Sequence, residues 1–141
     1  MVPILGIAAL FLSLAVPAVA QNEERYRVRL STVPVDIPMR STVAGTGAAT
    51  AVLKGTTLTI NGNFEGLVSV ATTSRVHRGV AMGVRGMPFA NLTVSKAQQG
   101  TISGSVNLTP EQVQSLNKGQ IYLQISSEKA PDGNLWGWFV R

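Results

Sequence analysis

The stretch GTGAATAVLKGTTLTINGNF, residues 45–64, decides the fold class. Gly45 to Leu53 is rich in small residues and then apolar, and reads as a strand entered through a bulge-prone glycine pair. Lys54-Gly55 is a hairpin turn. Thr57 to Phe64 then alternates strictly, so Leu58, Ile60 and Phe64 share one side and face a core. Two extended runs around a tight turn make an antiparallel hairpin.

Working outward, the same period recurs. Tyr26 to Leu30 alternates, while Pro34 and Pro38 break Val33–Met39 into a loop or edge segment. Val68 to Arg78 is extended and holds the only histidine, His77. Three glycines turn Gly79–Pro88 into a loop. Phe89–Val94 and Gly100–Leu108 alternate on either side of a hairpin loop at Lys96–Gln99. One helix is signalled: Thr109 as N-cap, Pro110 at the first position and Gln112 three residues after the cap. Val113 and Leu116 face the core, and Lys118-Gly119 closes the helix. Ile121–Ser126 is a strand, Pro131-Asp132-Gly133-Asn134 a turn, and Leu135–Val140 the last strand. Seven to eight short strands predict an all-β domain, an antiparallel sandwich or partly closed barrel with one short helix.

The N-terminal residues read differently. An apolar run from Ile4 to Val16 is followed by Pro17 and Ala18-Val19-Ala20. Small residues at the last and third-last positions suit a signal peptidase, so residues 1–20 read as a signal peptide cleaved before Gln21. No Lys or Arg precedes the apolar run. The run is short for a bilayer span of about twenty residues, so no membrane span is expected after cleavage. Residues 21–25 read as a flexible segment, and residues 26–141 as the β domain. The expected address is secreted or periplasmic.

Composition excludes several functions. There is no cysteine, which removes disulfides, thiolate nucleophiles and thiolate metal sites. One histidine cannot supply the three or four ligands of a copper or zinc centre, so no metal and no cofactor are expected. His77 has no G-x-S-x-G partner motif for hydrolase chemistry, so no catalytic residue is assigned. The net charge of +5 arises from 12 basic and 7 acidic residues, none within residues 1–20. That excess favours weak polyanion binding. Arg25, Arg27 and Arg29 alternate on one strand face and read as solvated charge.

The candidate ligand-binding residues are Arg75, His77, Arg78 and Arg85, which bracket the glycine-rich loop, and Trp136 and Trp138 on the last strand. Arginine holds carboxylate or phosphate bidentately. The bland reading of His77 is a packed or hydrogen-bonded histidine at a strand end. The two tryptophans share a face and Phe139 takes the other. One of these faces is core, and an exposed tryptophan pair would suit carbohydrate or protein contact.

The order of these signals resembles the chordin-type (CHRD) domain over roughly Tyr26 to Val140. The residues that carry the resemblance are Gly45-Thr46-Gly47, Gly66-Leu67, Arg75-Val76-His77-Arg78-Gly79, the block from Leu108 to Tyr122, and Pro131-Asp132-Gly133-Asn134-Leu135-Trp136-Gly137. The block from Leu108 to Tyr122 is the most specific. The family's paired histidines become Arg75 and His77, its later His-Thr becomes Ser126-Ser127, and its Gly-Glu-Ile-Arg-Gly becomes Gly133 to Gly137. Its polar and ligating positions are mostly replaced. The resemblance implies an immunoglobulin-like Greek-key sandwich or barrel and no general enzymatic activity. The leading expectation is an exported, non-enzymatic binding or structural module with an unidentified protein or polysaccharide partner. The alternatives are a copper- or zinc-dependent redox or hydrolytic enzyme and a polyanion-binding envelope protein.

Overall fold

A computed structural model describes residues 22–141. The expected signal peptide, residues 1–20, lies outside them. Eight strands and one helix follow in the order β1 (Glu23–Thr32), β2 (Thr46–Lys54), β3 (Thr57–Glu65), β4 (Ala71–Arg78), β5 (Met87–Val94), β6 (Gly100–Asn107), α1 (Pro110–Asn117), β7 (Ile121–Ser127) and β8 (Leu135–Trp138). A short 3-10 helix spans Ile37–Thr42, within and beyond the Val33–Met39 stretch whose two prolines suggest a loop or edge segment.

The strands close into an antiparallel barrel in the order β1-β2-β3-β6-β5-β4-β7-β8, not into an open two-sheet sandwich. Closure depends on two strands that each serve both halves. β1 pairs with β2 from Glu23 to Leu30 and then with β8 through Ser31 and Thr32. β5 pairs with β4 up to Leu92 and then with β6 through Thr93 and Val94. Both seams are two residue pairs long, which explains why the sequence pattern is compatible with either architecture.

Alternation fills the interior as expected. Tyr26, Val28 and Leu30 from β1, Leu58, Ile60 and Phe64 from β3, and Ile121, Leu123 and Ile125 from β7 form one cluster with Phe139. Arg25, Arg27 and Arg29 lie outside. The helix is capped as the sequence indicates: Thr109 and Gln112 make the reciprocal capping box, and Gly119 takes φ +72° after it. Leu116 is buried against the barrel, with Val113 half-buried beside it.

One expectation is corrected. Residues 23–25 are strand, not a flexible segment, because Glu23, Glu24 and Arg25 pair with Lys54, Leu53 and Val52. The ion pair of Glu23 with Lys54 (3.2 Å) sits on that extension.

The β1–β8 seam needs a glycine. A Cβ on Gly137 would run into the Arg29 carbonyl and meet Val28 Cγ1 at 2.7 Å. Gly137→Ala must therefore push the last strand off the first. Overpacking of this kind costs about 1–3 kcal/mol. Urea unfolding is expected to show that loss, and an unchanged midpoint would contradict the close seam.

Candidate functional site

The barrel has a second apolar surface outside it. On β7 the odd positions face the core, so Tyr122, Gln124 and Ser126 must face outward. All seven residues of β7 are nevertheless buried. Tyr122 and Trp136 form a small outer cluster with Val33, onto which Val35, Val43 and Trp138 pack. Trp136 meets Trp138 at 4.7 Å, and Tyr122 lies 4.8 Å from Trp138. Asn134 pins this cover: its side chain bonds both the N–H and the carbonyl of Ala44, and its carbonyl accepts from the Val33 N–H.

The loop between β4 and β5 provides the rest of the cover. Gly86 is its anchor. The Gly86 N–H donates to the Tyr122 hydroxyl (2.9 Å), which in turn donates to the Gly86 carbonyl (3.2 Å). His77 Nδ1 donates to the same carbonyl (3.0 Å), and its ring stacks on Tyr122 at 4.8 Å. Only glycine fits here, since a Cβ on Gly86 would run into the Arg78 carbonyl. Val80, Met82 and Val84 of the loop are exposed.

Between this loop, β4, β7 and the turn after β7 lies a cleft of about 580 Å³. β4 contributes Thr73, Arg75 and His77, and β7 contributes Tyr122, Gln124 and Ser126. Register sets the rows, with Arg75 opposite Gln124 and His77 opposite Tyr122. Arg85 comes from the loop. It lies over the Trp136 ring at 5.4 Å and donates to the Asp132 carbonyl at 2.9 Å. Gln124 Nε2 donates to that same carbonyl (3.3 Å), and the Gln124 amide packs on Gly133, where a Cβ would meet it at 2.9 Å.

The chemistry is that of an anion-accepting cleft. Among the described residues, the only ion pairs are those of Arg25, Lys54 and Arg141 with Glu23 or Glu24. Arg75 and Arg85 therefore carry no carboxylate partner. Asp132 is exposed at the rim and offers its backbone carbonyl to the cleft. Two acceptors are also left over. His77 and Gln124 are each 8% exposed, and neither His77 Nε2 nor Gln124 Oε1 has a protein partner. Leaving a buried acceptor unpaired costs about 1–3 kcal/mol. Their identity as acceptors follows from their partners: His77 Nδ1 and Gln124 Nε2 each face a backbone carbonyl, which only accepts. Among the described residues, no three His, Cys, Asp or Glu side chains group as a metal site.

The sequence candidates divide accordingly. Arg75, His77 and Arg85 meet in the cleft. Arg78 is exposed at the end of β4 and does not line it. Trp136 is buried beneath Arg85, and Trp138 is half-buried behind Tyr122, so the pair is no open stacking platform. Phe139 is in the barrel core, so both faces of the last strand are packed. Tyr122, Gln124, Ser126 and Gly86 were missed, although the alternation of Ile121–Ser126 already put the first three on one side.

Burial holds the His77 imidazole below its usual 6.5. Its bond to Gly86 opposes this, and the charges of Arg75 and Arg85 add to it. The unfolded chain therefore takes up a proton that the folded chain refuses. Stability should fall as pH drops below about 6.5, and level off once the folded-state imidazole protonates. Thermal melts of wild type and His77→Gln across that window test this. The variant is expected to lose less stability on acidification, and identical slopes would contradict the assignment.

Comparison with curated proteins gives no match, and comparison with solved structures gives none either. The family model of the CHRD domain matches residues 26–138, from Tyr26 in β1 to the end of β8. That match takes in every strand, the capped helix and the whole outer cleft, and the chain belongs to the CHRD domain family.

Proposed function

We propose that this protein is an exported, non-enzymatic binding module, and that its outer cleft holds an anionic group of a protein or polysaccharide partner. Family membership supports a module of this coarse kind. The observation that carries the finer reading is the pair of arginines, Arg75 and Arg85, in one cleft without a carboxylate partner. A guanidinium facing water gives up little when it meets an anion, and two of them can hold a carboxylate, sulfate or phosphate by charge-assisted bonds. The floor is already rigid, because Gly86 and Gln124 are tied to the barrel and to the following turn. A preformed site loses less entropy on binding. The leader-like residues 1–20 support a secreted or periplasmic address. N-terminal sequencing of the mature protein is expected to begin at Gln21.

Heparin is a direct probe of the cleft. Wild type should be retained on immobilised heparin at low salt and released as salt rises. Arg75→Gln should weaken binding roughly tenfold, the size of one charge-assisted bond. Arg29→Gln removes the same charge from an exposed face of β1 and should change binding much less. Equal effects of the two variants would reduce the binding to net charge and contradict a cleft site. Stoichiometric copper or zinc in the purified protein would contradict the non-enzymatic reading.

A further inference from the structure

We infer that the cleft is built for a hydroxylated carboxylate, a uronic-acid unit of an acidic polysaccharide, and not for a polyanion that offers acceptors alone. The inference rests on the reading of the cleft as an anion site, and adds a requirement that charge alone does not impose. Arg75 and Arg85 are donors and call for an acceptor anion. His77 Nε2 and Gln124 Oε1 are acceptors without protein partners, and call for donors on the same ligand. A phosphodiester, a polyphosphate or a simple polycarboxylate offers acceptors only. A uronate offers both, with a carboxylate and free hydroxyl groups on the same sugar ring.

The state of His77 agrees with this. Its Nδ1 proton is committed to Gly86, and burial with two nearby guanidiniums keeps the ring neutral, so Nε2 carries a lone pair. The same two cations disfavour an ammonium or metal ion as the donor.

Both acceptors are covered in the free structure. Arg85 is the exposed side chain that shares the Asp132 carbonyl with Gln124. A carboxylate is a stronger acceptor than that carbonyl, and can draw the guanidinium aside as it enters. The guanidinium rests on Trp136, so its movement should change tryptophan fluorescence.

The test is isothermal titration of the full mature chain with oligogalacturonate, polyacrylate and polyphosphate at matched anionic groups, followed also by tryptophan fluorescence. Polyacrylate and polyphosphate carry denser charge, so a purely electrostatic site would prefer them. The inference expects the reverse: oligogalacturonate bound at least about tenfold tighter, with a fluorescence change that the other two do not produce. His77→Phe should weaken oligogalacturonate binding and leave polyacrylate binding unchanged. Should that variant fail to fold, the three-ligand comparison on wild type decides alone. Equal or tighter binding of polyacrylate or polyphosphate, still lost in Arg75→Gln, would overturn the uronate assignment and leave the anion site standing. Absence of binding to all three would overturn both.

Discussion

Strand β7 turns Ile121, Leu123 and Ile125 toward the barrel interior and carries Tyr122, Gln124 and Ser126 on its other side, and that second side has to be covered. An antiparallel barrel normally leaves the outside of its strands in water. Here Tyr122, Trp136 and Trp138 would expose a large aromatic surface if nothing lay over them. Two segments that are not strands supply the cover. The stretch from Val33 to Val43 takes one flank, held by Asn134, and the loop from Gly79 to Gly86 takes the other, held by Tyr122 and His77. The cleft is what the second cover leaves open.

This links the fold to the site through a few atoms. The Tyr122 hydroxyl and the His77 imidazole both close on the backbone of Gly86, and the loop then presents Arg85 over Trp136. Ring contacts of this kind add about 0.5–1.5 kcal/mol each beyond burial. They also fix direction, which matters more for a binding surface than the energy does. The group formed by Tyr26, Glu24, Asn117 and Arg141 provides a contrast. Its hydroxyl, carboxylate, amide and guanidinium partner one another. It ties Arg141 to the first strand and to the end of the helix.

Much of the barrel was legible because alternation is a strong signal where one face is buried. Leu58, Ile60 and Phe64, and the capping box at Thr109 and Gln112, could be read directly. Barrel closure could not, since it rests on two-pair seams and on the absence of a Cβ at Gly137. Arg75, His77 and Arg85 were readable as candidates because charged residues around a glycine-rich loop stand out. Their partners were not, because Gln124 and Ser126 lie some fifty positions away and meet β4 only through strand pairing. Arg75, Ser126 and Trp136, far apart in the chain, converge on this same outer surface. No linear reading brings them together.

The account stands on the clamp between Gly86 and Tyr122, and amide hydrogen exchange at Gly86 measures it most directly. With the clamp in place, the Gly86 N–H should exchange slowly in wild type, like the strand amides of β4. It should become fast in Tyr122→Phe while the barrel interior stays protected. A Gly86 amide that already exchanges in wild type as fast as that of Gly83 at the loop tip would mean the loop is not anchored, and would contradict both the clamp and the cleft built on it.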